Sequence, residues 1–188
     1  MQKPVNTASY LTKVLIFPGI CYICGGYHQY AMVKKNLSIQ YEEYESAAEL
    51  PEKDRVLLEA AVSAVEGSYA PYSHFNVGAA VRLDNGVVFK GANQENAAYP
   101  SGLCAERTAM FGAAASHPGR KIESLAVVCS VKGKLLEEPG YPCGACRQVM
   151  AQYERECGKP MRILLGSAGK VQVFDGVSSL MPFLFTNL

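Results

Sequence analysis

The tightest constraint on how this chain folds comes from three cysteines at the starts of two helical segments. Pro142-Cys143-Gly144-Ala145-Cys146 opens a segment that continues Arg147-Gln148-Val149, and Cys104 opens another in Gly102-Leu103-Cys104-Ala105-Glu106-Arg107. Helix N-termini favour thiolates, because the free N–H groups and aligned amide dipoles stabilise negative charge. All three sulfurs are therefore placed to ionise together, as zinc requires. Three protein ligands with an open fourth position make a catalytic zinc site, whereas four make a structural one. No fourth cysteine fits: Cys129 falls within an expected buried strand, and Cys157 lies about 16 Å down its helix from Cys146 at ~1.5 Å per residue. The expectation is an open site with Cys104, Cys143 and Cys146 as metal ligands, which obliges the fold to bring two helix starts together.

Glu106 indicates what such a site is for. It stands two residues from Cys104, in the first helical turn, where its carboxylate can lie beside a water in the open position without being a ligand. A metal-activated water, a nearby carboxylate and a protonatable substrate nitrogen allow hydrolytic deamination; zinc deaminases as a class combine a His or Cys, a Glu that is not a ligand and P-C-x-x-C. Three thiolates on one Zn²⁺ leave a charge of about −1, which weakens the metal as an acid. Arg107 is the expected compensator at the ligand sulfurs, with Arg147 a second candidate. The alternative is that both are surface arginines.

The organisation of the rest points to an α/β fold. Residues 38–49 are polar and acidic and read as an extended arm or a loop. A helix begins at Leu50-Pro51-Glu52 and carries Val56, Leu57, Ala60, Ala61, Ala64 and Val65 as a core stripe, ended by Gly67. Asp84-Asn85-Gly86 between two apolar runs is a strong hairpin signal. A helix over 103–115, a buried strand over 125–130, a glycine-rich loop, a helix over 144–156, strands over 162–165 and 171–174, and a short helix over 178–185 follow. This order predicts a three-layer α/β/α sandwich with a mixed sheet. At 188 residues one domain is expected. Balanced charge, 18 basic against 17 acidic side chains, argues against a nucleic-acid footprint, and no apolar run reaches the ~18 residues of a membrane span. Seven cysteines suit no fully paired disulfide framework.

Residues 1–31 read differently. The apolar run 14–24 is broken by Pro18-Gly19 and lacks a clear signal-peptide cleavage site. Cys21 and Cys24 form a second C-x-x-C with only His28 nearby; half a zinc site, a redox pair and incidental apolar cysteines are the readings, of which the last is favoured. Met32 is a plausible start, so the expected functional chain is 32–188, with 32–49 as arm and 50–188 as the zinc-dependent domain.

Four blocks, in order, carry a specific resemblance. They are Tyr69-Ala70-Pro71-Tyr72-Ser73-His74-Phe75-Asn76-Val77-Gly78-Ala79-Ala80, Asn93-Gln94-Glu95-Asn96-Ala97-Ala98-Tyr99, Cys104-Ala105-Glu106-Arg107 and Pro142-Cys143-Gly144-Ala145-Cys146-Arg147-Gln148. Together they resemble cytidine deaminase in its compact, three-cysteine form, over roughly residues 50–185. The resemblance implies a cytidine deaminase-like fold, a Zn²⁺ cofactor, and deamination of cytidine and deoxycytidine with release of ammonia, a cytoplasmic step of pyrimidine salvage. It implies Glu106 as the proton-transferring group, Asn93 and Glu95 as holders of the ribose hydroxyls, and Phe75 beside the pyrimidine. The backbone N–H of Ala105 would assist at the pyrimidine edge, and Tyr99 is a pocket wall or a packing residue. It further implies a homotetramer in which a C-terminal aromatic, Phe185 or the nearby Phe183, completes a neighbour's pocket. A carboxylate at Glu95 accepts from a diol but repels a phosphate, so a free nucleoside is expected as partner, with neither nucleic acid nor membrane. The alternatives are a deaminase of another aminopyrimidine, such as the blasticidin type, and a zinc-stabilised interaction module without catalysis. Residues 1–40 have no counterpart in the family pattern, and the loop 132–141 is long for it.

Overall fold

In the computed structural model, residues 33–185 are described. The expectations for residues 1–31 and for a start at Met32 lie outside them. Residues 33–37 carry no helix or strand, and every element below lies in the unit that begins at Ser38.

The chain runs β1 (Glu42–Tyr44), α1 (Glu52–Ala64), β2 (Phe75–Leu83), β3 (Val88–Ala92), α2 (Ala105–Ser116), β4 (Ile122–Val131), β5 (Lys134–Leu135), α3 (Gly144–Cys157), β6 (Arg162–Gly166) and β7 (Val171–Asp175). The sheet order is β1-β7-β6-β4-β2-β3, with β5 paired to β4. Only the β4–β6 pairing is parallel, so the sheet is mixed, as expected.

The three layers follow from the two-residue period of the strands. Ala79, Val81 and Leu83 of β2 and Leu125 and Val127 of β4 face one way, into a core with α2 and α3. The alternate residues Ala80, Ala126 and Val128 face the other way, against Leu57, Leu58 and Ala61 of α1. β4 is longer than the expected 125–130 because it pairs along nearly its whole length with β2. The hairpin forms as expected: Gly86 takes a φ of 85°, open to glycine without strain, and its N–H donates to the Leu83 carbonyl.

Two expectations fail. Val56 is 46% exposed and not core. The buried stripe of α1 runs through Asp54, Leu57, Leu58, Ala61 and Ala64, and Val56 lies off that arc. Asp54, 4% exposed, is tolerated there because Arg162 Nε donates to it at 2.8 Å and Arg82 stands 3.6 Å away. The helix expected over 178–185 does not form. A single tight turn, Val177–Ser179, is followed by chain without helix, since Pro182 lacks an N–H for the ladder and Phe183 and Phe185 find nothing to bury against.

Candidate active site

Both helices that carry the cysteines start at the same end of the sheet. Cys104 caps α2 and Cys143 caps α3, each with extended backbone, so each sulfur stands beside the free N–H groups of a first turn. α2 is seated there by a close approach at Gly91 of β3. A Cβ on Gly91 would lie 2.8 Å from the Ala105 carbonyl oxygen and closer still to the Ala109 nitrogen.

The Cys104 and Cys143 sulfurs are 3.8 Å apart, Cys143 and Cys146 3.5 Å, and all three lie within 4.8 Å of one another. Sulfurs arranged tetrahedrally at the usual Zn–S length of ~2.3 Å are about 3.8 Å apart, so the donor set fits zinc. Hydrogen bonding from the Cys146 thiol, joined by Arg107 and Cys143, pulls the Cys104 thiol down to about 5 despite burial. Its hydrogen bond with Cys104, followed by burial, pushes Cys146 the other way. Charge therefore settles on Cys104 before Cys146 until a cation sits among the sulfurs. Arg107 Nη2 donates to the Cys104 sulfur at 3.6 Å, and its Nε is buried without a hydrogen-bond partner among the described residues.

Glu106 is 5% exposed and faces a cavity of about 550 Å³. Burial first, then the Cys104 charge, raises its pKa, so its carboxyl is disposed to hold a proton. Phe75, Asn93, Glu95, Tyr99, Cys104, Arg107 and Cys143 line the same cavity. Tyr99 stands 78% exposed, edge-on to Tyr72 at 6.4 Å. Cys146 lies fully buried under the other sulfurs, and Ala105, also buried, contributes the first N–H of α2.

Asn93 and Glu95 are already engaged. The Asn93 amide bridges the start of β2, donating to the Phe75 carbonyl at 2.9 Å and accepting from the Val77 N–H at 2.8 Å. Glu95 accepts from the backbone N–H groups of Tyr72 at 2.9 Å and Ser73 at 3.2 Å, and from the Ser73 hydroxyl. The Ser73 hydroxyl and the Tyr72 N–H hold its carboxyl below the usual range. Each side chain keeps lone pairs, and Asn93 keeps one N–H, for a ligand.

One expected site residue lies elsewhere. Arg147 does not reach the sulfurs: its Nε donates to the Pro142 carbonyl at 2.8 Å and its Nη1 to the Leu180 carbonyl, tying the ligand loop to the C-terminal segment. Phe185 does not line its own chain's cavity; it is 64% exposed, and its carbonyl accepts from Gln148 at 2.8 Å. Conversely, Ser73, Cys129 and Tyr141 line the cavity and were not foreseen there. Cys129 shares the face of Leu125 and Val127 on β4, so strand alternation was a usable signal. Burial, then the Glu106 charge, pushes its thiol up to about 11, which keeps it neutral.

The sequence description "Cytidine and deoxycytidylate deaminase zinc-binding region" matches residues 51–157. A cytidine deaminase of Halalkalibacterium halodurans is 44% identical over 133 residues, covering 70% of this chain and 93% of that one. The crystal structure of cytidine deaminase from Burkholderia pseudomallei superposes with a TM-score of 0.60 at 42% identity, covering 69% and 97% of the two chains. That from Mycobacterium tuberculosis gives 0.54 at 34% identity, covering 70% and 96%.

Proposed function

The chain belongs to the cytidine and deoxycytidylate deaminase family, and from that membership and the site we propose that it hydrolyses the amino group of cytidine and deoxycytidine, giving uridine and deoxyuridine with release of ammonia. The observation that carries this is the three-cysteine cluster opening onto the cavity that also holds Glu106. Cys104, Cys143 and Cys146 would hold Zn²⁺, whose charge would make a water nucleophilic near neutral pH.

The chain's own residues do the rest. Glu106 takes the proton of the attacking water on a carboxylate oxygen and passes it to N3 of the pyrimidine. It then takes the second proton from the oxygen added at C4 and gives it to the amine as the C4–N bond breaks, so that C4 becomes a carbonyl and ammonia leaves. A raised pKa suits a group that must both accept and return that proton. Arg107 offsets the thiolate charge at Cys104. Phase by phase the substrate is held from both ends: the Ala105 N–H donates at the pyrimidine edge, Phe75 packs on the ring with Tyr99 at the mouth, and Asn93 and Glu95 bind the ribose hydroxyls. The Glu95 charge disfavours a 5′-phosphate, so a free nucleoside is the substrate.

The working unit is the zinc-dependent domain 50–188 together with the preceding segment 32–49, whose β1 forms one edge of the sheet, in a reducing cytoplasm that keeps the cysteine ligands as thiols. It assembles as a homotetramer in which Phe185, exposed and outside its own cavity, closes a neighbour's. Among the described residues no helix is long and apolar enough to cross a membrane. An ultraviolet assay of substrate loss with ammonia detection, run on cytidine, deoxycytidine, CMP and adenosine, tests the reading. Turnover of the first two alone supports it, and turnover of none of them overturns it.

A further inference from the structure

We propose that Tyr141 is a substrate-contacting wall of the cavity and that Glu43, on an edge strand outside the family match, holds it in place through Gln172. Tyr141 lines the cavity next to the ligand Cys143 and is 56% exposed, and its hydroxyl donates to Gln172 Oε1 at 2.7 Å. Gln172 is buried on β7, and its Nε2 donates to Glu43 Oε2 at 2.7 Å. Glu43 and Gln172 are direct cross-strand partners. With the amide spent in both directions, the polar end of a cavity-lining tyrosine is already satisfied.

The strand doing the holding is itself anchored. Glu42 pairs with Arg162 at 3.1 Å, and Tyr41 stacks on Phe174 at 5.2 Å. The family match covers residues 51–157, so Glu43 and Gln172 both lie outside it. Their support acts on the loop between β5 and α3, whose other contacts leave little slack. The Leu136 N–H donates to the Cys129 carbonyl at 3.0 Å, the Ala168 N–H to Leu136 at 2.7 Å, and Gly140 passes so close to the Cys129 sulfur that no Cβ would fit. Pinned at both ends, the loop sets how far the Tyr141 ring reaches over the substrate.

The proposal rests on the nucleoside reading of the cavity. The test compares Tyr141→Phe, Glu43→Ala, their double variant and Glu43→Gln by cytidine kinetics, uridine affinity by calorimetry, and hydrogen exchange of the 132–141 loop. Loss of one hydrogen bond in the tether raises KM and the uridine Kd about 3–10-fold with kcat within about twofold. The double variant is no worse than either single one, because both break the same tether, and Glu43→Gln restores most of the affinity. Unchanged KM and exchange in Glu43→Ala, or effects that multiply in the double variant, overturn it. If the unaltered protein neither binds uridine nor turns over cytidine, the nucleoside reading fails instead. Loop exchange in Glu43→Ala then decides the tether alone: faster exchange upholds it and unchanged exchange refutes it.

Discussion

The Cys104 and Cys143 sulfurs lie 3.8 Å apart although 39 residues of chain separate them. α2, β4, β5 and the loop into α3 occupy that interval, so the zinc centre depends on how α2 seats on the sheet and not only on local motifs. Gly91 is where that seating is closest.

Replacing Gly91 by alanine therefore drives a Cβ into the backbone of Ala105 and Ala109, neither of which can yield as a side chain would. The expected cost is about 3 kcal/mol or more in urea unfolding, with loss of bound zinc, because the same shift carries Cys104 away from Cys143. An alanine variant of unchanged stability and metal content would show that α2 is held by other contacts.

Cys143→Ser removes one of the three sulfurs while leaving the exposed start of α3 otherwise intact. Metal analysis is expected to find close to one zinc per chain in the unaltered protein and far less in the variant. Zinc-binding energy is folding energy where the site is built by the fold. A loss of a few kcal/mol lowers the melting temperature by several degrees at this size. Chelation of the unaltered protein lowers it in the same direction.

How much of this was legible in the sequence varied with how local the cause is. The ligands and Glu106 stand in short motifs whose spacing alone places them on a first helical turn, and the hairpin announces itself at Asp84-Asn85-Gly86. Periodicity cannot separate Val56 from Leu57, which are equally apolar neighbours; the pairing of buried Asp54 with Arg162 shows which arc faces the sheet. Arg147 and Phe185 depend on the path of the C-terminal segment, which no periodicity fixes once Pro182 stops a helix. Tyr141 was invisible for the opposite reason: it stands two residues from a ligand, but its role hangs on a partner in β7 and another in β1.

Glu95 gives a pH-dependent expectation. Its folded pKa is depressed, first by the Ser73 hydroxyl and then by the Tyr72 N–H, so the carboxylate is fully ionised above the ordinary carboxylate range and loses its charge only as pH falls through the lowered value. Ser73→Ala removes the largest of these effects and moves to higher pH the second, steeper break of the acid limb of kcat/KM for cytidine, which lies below the break set by Glu106. The acid limb of kcat, set in the bound complex, moves less. A limb that stays in place would separate Glu95 from substrate binding.

Glu106 is the group that moves protons beside the cysteine cluster in the proposed reaction. The most direct measurement is kcat for cytidine deamination by Glu106→Gln at zinc content and melting temperature equal to those of the unaltered protein. Replacing a buried carboxyl by its amide keeps the shape but ends proton transfer, so kcat is expected to fall by about 10³-fold or more. A fully zinc-loaded variant with kcat within tenfold of the unaltered protein would contradict it.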